Sequence, residues 1–160
     1  MHTTKTKSWA DLSETSRGDR PLLQKIWDKW AAASVGTVLT GAALLNYLPD
    51  RPSRMFSLLV AQEGLTLQPP DLRLLVDGVK SKTLQNDYFW LCDGKYIVTT
   101  ISEQYFCARR ANSTAHEGEG AIIACITGFI LLTTYEGSLG AAAKAMAVTG
   151  LLTEYLGQRN

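Results

Sequence analysis

A chain of 160 residues, 46% hydrophobic and 19% charged, has the length and composition of one globular domain with a core of its own. Lys and Arg number 16 against 15 Asp and Glu, a net charge of +1, which excludes the basic field of a duplex-binding protein and the dense acidic surface of a DNA mimic. Cys92, Cys107 and Cys125 are widely spaced and form no CxxC pair; a disulfide framework and a zinc site are excluded, and buried free thiols in a reducing compartment are expected.

Residues 1–19 hold few large apolar side chains beyond Trp9 and Leu12 and read as a mobile arm without the apolar stretch of a secretory signal, so the expected location is cytoplasmic. Asp19 and Pro21 mark a helix start. From there Leu22, Leu23, Ile26, Trp27 and Trp30 recur at helical spacing, and the segment 20–47 is expected as an N-terminal helical extension, weakened at Gly36 and Gly41. The uncharged run from Ala31 to Pro49 is too rich in Ala, Gly, Ser and Thr for a membrane span and reads as a packed helix.

The prolines at 49 and 52 end that helix, and a domain over 48–160 is expected after them. Met55 to Gln62 fits a short helix or strand, and Pro69-Pro70 with Asp71 opens a helix to about Lys82 with Leu72, Leu75, Val76 and Val79 on one side. Tyr88 to Leu91 and Tyr96 to Val98 are aromatic β-runs hinged on Asp93-Gly94, a strong signal for a type I′ hairpin. Gln104 to Arg109 adds a third strand of the same meander. The polar connection from Arg109 to Glu119 leads to Ala121–Tyr135, read as a buried helix, and then to a last helix over Leu139–Leu156. The fold class expected is α+β: a small antiparallel sheet of about three or four strands covered by helices, with the N-terminal extension.

Groups for catalysis are scarce. His116 lies in a polar loop nine residues from Cys107, Glu117 and Glu119 sit where carboxylates would favour a helix dipole, and no phosphate loop, nucleophile elbow or metal-ligand spacing is present. The expectation is a non-catalytic protein without cofactor or metal. The residues expected at a partner surface are Asp93, Gly94 and Lys95 at the hairpin tip and Arg109, Arg110 and Asn112 in the following loop, because recognition sits on loops held by a rigid sheet.

The block Tyr88-Phe89, Leu91, Asp93-Gly94, Tyr96 and Val98 resembles the aromatic hairpin of the ArdB/KlcA antirestriction family. Leu48-Pro49-Asp50 with Arg54 and Phe56, and Ala121 to Ile126, agree with that family in order and spacing. The resemblance implies a protein of a mobile element that relieves type I restriction by contacting a host restriction or other defence protein complex. A nucleic-acid-binding accessory protein that uses the sheet aromatics with Arg109 and Arg110 is the alternative. The Trp27/Trp30 stripe further suggests a homodimer through the N-terminal helix.

Overall fold

The computed structural model describes residues 20–157, so the expected arm over 1–19 lies outside it. Helix α1 (Arg20–Ser34) follows the predicted stripe: Leu23, Trp27 and Ala31 are buried, while Lys25, Asp28 and Lys29 face out. It ends ahead of Gly36, whose φ of +92° lies in a region that side chains avoid. The apolar run beyond is strand β1 (Gly41–Asn46), buried at every position. The expected helical extension is thereby corrected, because its second half is a strand inside the sheet.

A 3-10 turn (Ser53–Met55) and β2 (Leu59–Glu63) follow. Helix α2 (Pro69–Ser81) then buries Leu72, Leu75, Val76 and Val79, as their spacing predicts. Its cap is Gln68 rather than Asp71, with proline in the first turn, where a missing N–H costs nothing.

Strands β3 (Tyr88–Leu91), β4 (Gly94–Ile101) and β5 (Tyr105–Arg110) form the expected meander. The hairpin turn sits one residue earlier than Asp93-Gly94. Leu91 pairs with Gly94, so Cys92 and Asp93 are the central residues, and Cys92 carries the positive φ of +54°. Gly94 is instead a buried strand residue, small because a Cβ there would come within 2.6 Å of the Tyr96 ring and 3.1 Å of Arg110 Nε.

The largest correction concerns Ala121–Tyr135. Strands β6 (Glu119–Ile126) and β7 (Phe129–Glu136) occupy it, joined by a turn in which Gly128 has a φ of +89°. These strands are covered on both faces, so their sequence is apolar throughout and loses the alternation that marks a half-exposed strand. Glu119 accordingly starts a strand, not a helix. Helix α3 (Leu139–Gly157) closes the chain.

One sheet of seven antiparallel strands results, in the order β2-β1-β7-β6-β5-β4-β3, which replaces the small sheet expected. Each face of it builds a core. On one, Ala42, Leu44, Ile122, Phe129 and Leu131 meet Leu23 and Trp27 of α1 and Ala145, Leu152 and Leu156 of α3. On the other, Ala43, Leu45, Ile123, Ile130 and Leu132 meet Leu72, Leu75, Val76 and Val79 of α2. Among the described residues no helix is long and apolar enough to cross a membrane.

Two glycines separate the effects of crowding and chain entropy. Gly94→Ala should destabilise by about 1–3 kcal/mol through overpacking against Tyr96 and Arg110. Gly140→Ala, in α3 with nothing within 4 Å of the added methyl, should stabilise by about 0.4–1 kcal/mol. Urea unfolding of both variants checks the opposite signs.

Candidate functional site

Helices α1 and α3 cover only part of their face of the sheet. Following the register outward from Ile122 and Gly120 of β6, that face continues through Cys107 and Arg109 of β5, Lys95 and Ile97 of β4, and Tyr88 and Trp90 of β3. Tyr88 is 48% exposed, Trp90 46% and Ile97 47%. In the middle of them the Lys95 ammonium lies 3.7 Å from the centre of the Tyr88 ring, a cation–π contact. The alternate residues Phe89, Leu91 and Tyr96 point into the opposite core. The aromatic block thus divides by strand parity into core and surface.

A polar network holds the end of this surface. Asn112 Oδ1 accepts from the Lys95 backbone N–H and from Arg110 Nε, both at 3.0 Å, and Asn112 Nδ2 donates to the Asp93 carbonyl at 3.0 Å. Arg110 pairs with Glu119 at 3.2 Å, and Ser113 donates to the same carboxylate at 2.6 Å. Arg109 donates to the carbonyls of Gly137 at 2.9 Å and Glu117 at 3.0 Å. It thereby ties the β7–α3 turn to the sheet just before Leu139, which is 86% exposed. All six residues expected at a partner surface are brought to this end. Most of their polar atoms are used within the chain, and the Lys95 ammonium is directed at the bare face.

The outer side of the α1–α3 layer is a second apolar surface. Trp30 Nε1 donates to the Val148 carbonyl at 2.8 Å and so fastens α1 to α3, with the Trp27 ring 5.4 Å away between centroids. Thr149 bonds to Thr133 at 2.9 Å and anchors α3 on β7. Outside these anchors Leu22 is exposed, Ile26 and Trp30 are half-buried, and Leu151 is 67% exposed. The expected dimer stripe is corrected here: Leu23 and Trp27 are buried in the core of their own chain.

Nothing gathers around His116, which is exposed, and among the described residues no cluster of three or more His, Cys, Asp or Glu could hold a metal ion. Burial pushes the Cys107 thiol up and the Cys125 thiol up to about 11.

The Profilin family model matches residues 26–160. The chain belongs to the profilin family. Among solved structures it is similar to Acanthamoeba castellanii profilin IA, with 18% identity and a TM-score of 0.62 over 83% of this chain and 98% of that one. It is also similar to LokiProfilin1 in complex with rabbit actin, at 15% identity and 0.56 over 84% and 96%. A third likeness is to mouse profilin IIa in complex with a double repeat from the FH1 domain of mDia1, at 12% identity and 0.55 over 81% and 97%. At such identities the structural likeness speaks for the fold. No curated protein matches the chain in sequence.

These findings overturn the resemblance to the ArdB/KlcA family and, with it, the antirestriction function and the restriction-complex partner. They equally give no support to a nucleic-acid-binding accessory role. The hairpin motif misleads because paired strands with alternating aromatics around a tight turn satisfy general β-hairpin physics in any family.

Thiol burial in this profilin predicts an order of alkylation at mildly alkaline pH. Cys92, exposed in its turn, should react first and Cys125 last, because the thiolate is the nucleophile and burial raises the pKa of Cys125. Mass spectrometry of iodoacetamide-treated native protein reads the order, and urea should abolish the difference.

Proposed function

We propose that this profilin binds monomeric actin through the half-face of the sheet that α1 and α3 leave bare. The observation that carries the reading is the exposed row Tyr88, Trp90 and Ile97 around Lys95, an apolar patch on a rigid sheet with the lysine cation inside it. Contiguous exposed aromatics of this kind mark a docking surface. The same fold occurs in LokiProfilin1, whose structure includes rabbit actin.

Docking there would bury the aromatic anchors and bring the partner against Leu139 at the start of α3. Lys95 sets a condition, because an ammonium buried without a counter-charge is costly, so the docked surface has to offer it a carboxylate. Asp93, Gly94, Arg110 and Asn112 support that lysine from behind, and Arg109 holds the α3 start in place. The protein works by binding, without making or breaking bonds, in the cytoplasm where monomeric actin resides.

A second surface favours a second partner. The outer α1–α3 side, with Leu22, Ile26, Trp30 and Leu151, suits a proline-rich segment, whose extended helix docks on apolar and aromatic grooves. Mouse profilin IIa, with its FH1 double repeat, shares the fold. Because Val148 takes the Trp30 N–H, the ligand here would be held mainly by apolar contact.

Light scattering of polymerising actin tests the first reading. Equimolar protein should slow assembly, and Ile97→Asp or Trp90→Ala should weaken binding about thirtyfold, the loss of a strong interface anchor. Assembly that is indifferent to the wild-type protein would sink the proposal.

A further inference from the structure

We infer that Asn112 is a positioning residue for Lys95: its side-chain amide stands in for a strand carbonyl and so fixes the backbone from which the Lys95 ammonium reaches over Tyr88. Strand β5 ends at Arg110, opposite Tyr96 of β4. An antiparallel ladder bonds alternate residue pairs twice, by exchange of both N–H and C=O, and Lys95 with Ala111 is the next pair in turn. The backbone makes one of these bonds, from the Ala111 N–H to the Lys95 carbonyl at 2.6 Å. The other goes to Asn112, whose Oδ1 accepts from the Lys95 N–H at 3.0 Å. A short amide side chain can thus take the place of a peptide group where the chain turns out of the ladder.

The orientation of that amide is set by its other contacts. Arg110 Nε also donates to Oδ1 at 3.0 Å and Nδ2 donates to the Asp93 carbonyl at 3.0 Å, so a reversed amide would set its NH2 against two donors. Arg110 is in turn held by Glu119 at 3.2 Å, and Glu119 by Ser113 at 2.6 Å. Asn112 therefore clasps the β3–β4 tip at two points, Asp93 in the turn and Lys95 in the strand that leaves it. Across the ladder Lys95 faces Trp90, and Tyr88 is its diagonal neighbour, opposite Ile97. A long side chain spans that diagonal. The Lys95 stem is flexible, so the 3.7 Å contact with the Tyr88 ring depends on a fixed starting point in the backbone.

The consequence for docking rests on the actin reading above; the placement of Lys95 does not. A lysine already held over the ring loses less freedom when a partner's carboxylate takes it up, which is the advantage of preorganisation.

NMR of the full-length chain tests the placement, because protons above an aromatic ring are shifted upfield. Asn112 is exposed, so its replacement leaves the core intact. The Lys95 ε-methylene resonance of the wild type should lie upfield of its position in Y88A. N112A should move it most of the way to the Y88A position, whereas N112D, which keeps an oxygen acceptor for the Lys95 N–H, should leave it near wild type. A resonance that N112A does not move overturns the inference. So does N112D behaving like N112A, which assigns the role to the Asp93 bond instead. Actin affinity supplies a double-mutant cycle: N112A should weaken binding about tenfold where Lys95 is present and by less than about twofold in a K95M background. An equal loss in both backgrounds overturns the positioning role. Wild-type protein that fails to bind actin removes the actin reading, while the Lys95 resonance still decides what Asn112 does.

Discussion

The pairing of β1 with β7 is the constraint on which the molecule depends. It joins a strand from the first third of the chain to one near its end, over a ladder from Gly41 opposite Thr134 to Asn46 opposite Phe129. Without it β1 and β2 would have no ladder to the meander that runs from β3 to β7. Closing so long a loop costs entropy that grows only slowly with length, and the ladder offsets it by burying all six residues of β1 between two cores. The buried hydroxyls on β7 fit this setting because each has a partner: Thr133 bonds to Thr149 and Thr134 to Thr40.

The extent of the sheet then decides where partners can sit. Seven strands at about 4.8 Å spacing span roughly 29 Å, whereas two helices side by side cover about 20 Å. The helix pair occupies the end of the sheet that contains β1 and β7, since α3 follows β7 directly and α1 precedes β1. The uncovered remainder is the β3–β5 end of the same face. Tyr88, Trp90 and Ile97 are exposed as a result of this geometry, and Lys95 keeps a charge among them. The opposite core, closed by α2, takes the alternate residues of the same strands.

Much of the local structure was legible. The α2 stripe and the three-strand meander can be read from periodicity, and the last helix from the three- and four-residue steps of its larger apolar residues. The six residues expected near the hairpin tip do come together, because the β4–β5 register places Tyr96 opposite Arg110 and carries Asn112 back to Asp93. Their chemistry was harder to read. Arg110, Asn112 and Glu119 bond to one another, and Arg109 to backbone carbonyls, which no spacing rule foretells. Trp90, Leu139 and Leu151 were missed as surface residues; β3 is apolar or aromatic at all four positions, so nothing in its sequence separates the buried side from the exposed one.

By itself the sequence determined a near-neutral charge balance, the aromatic hairpin, and the amphipathic helices α1 and α2, whose two sides meet core and water. Tertiary structure alone decided that β1, β6 and β7 are strands and that the sheet has seven members. A segment covered on both faces is apolar at every position, so neither a period of two nor one of 3.6 survives in it. Which aromatics stay at the surface was likewise settled only by where two helices stop short of the sheet's far edge, a matter of widths that residue order does not record.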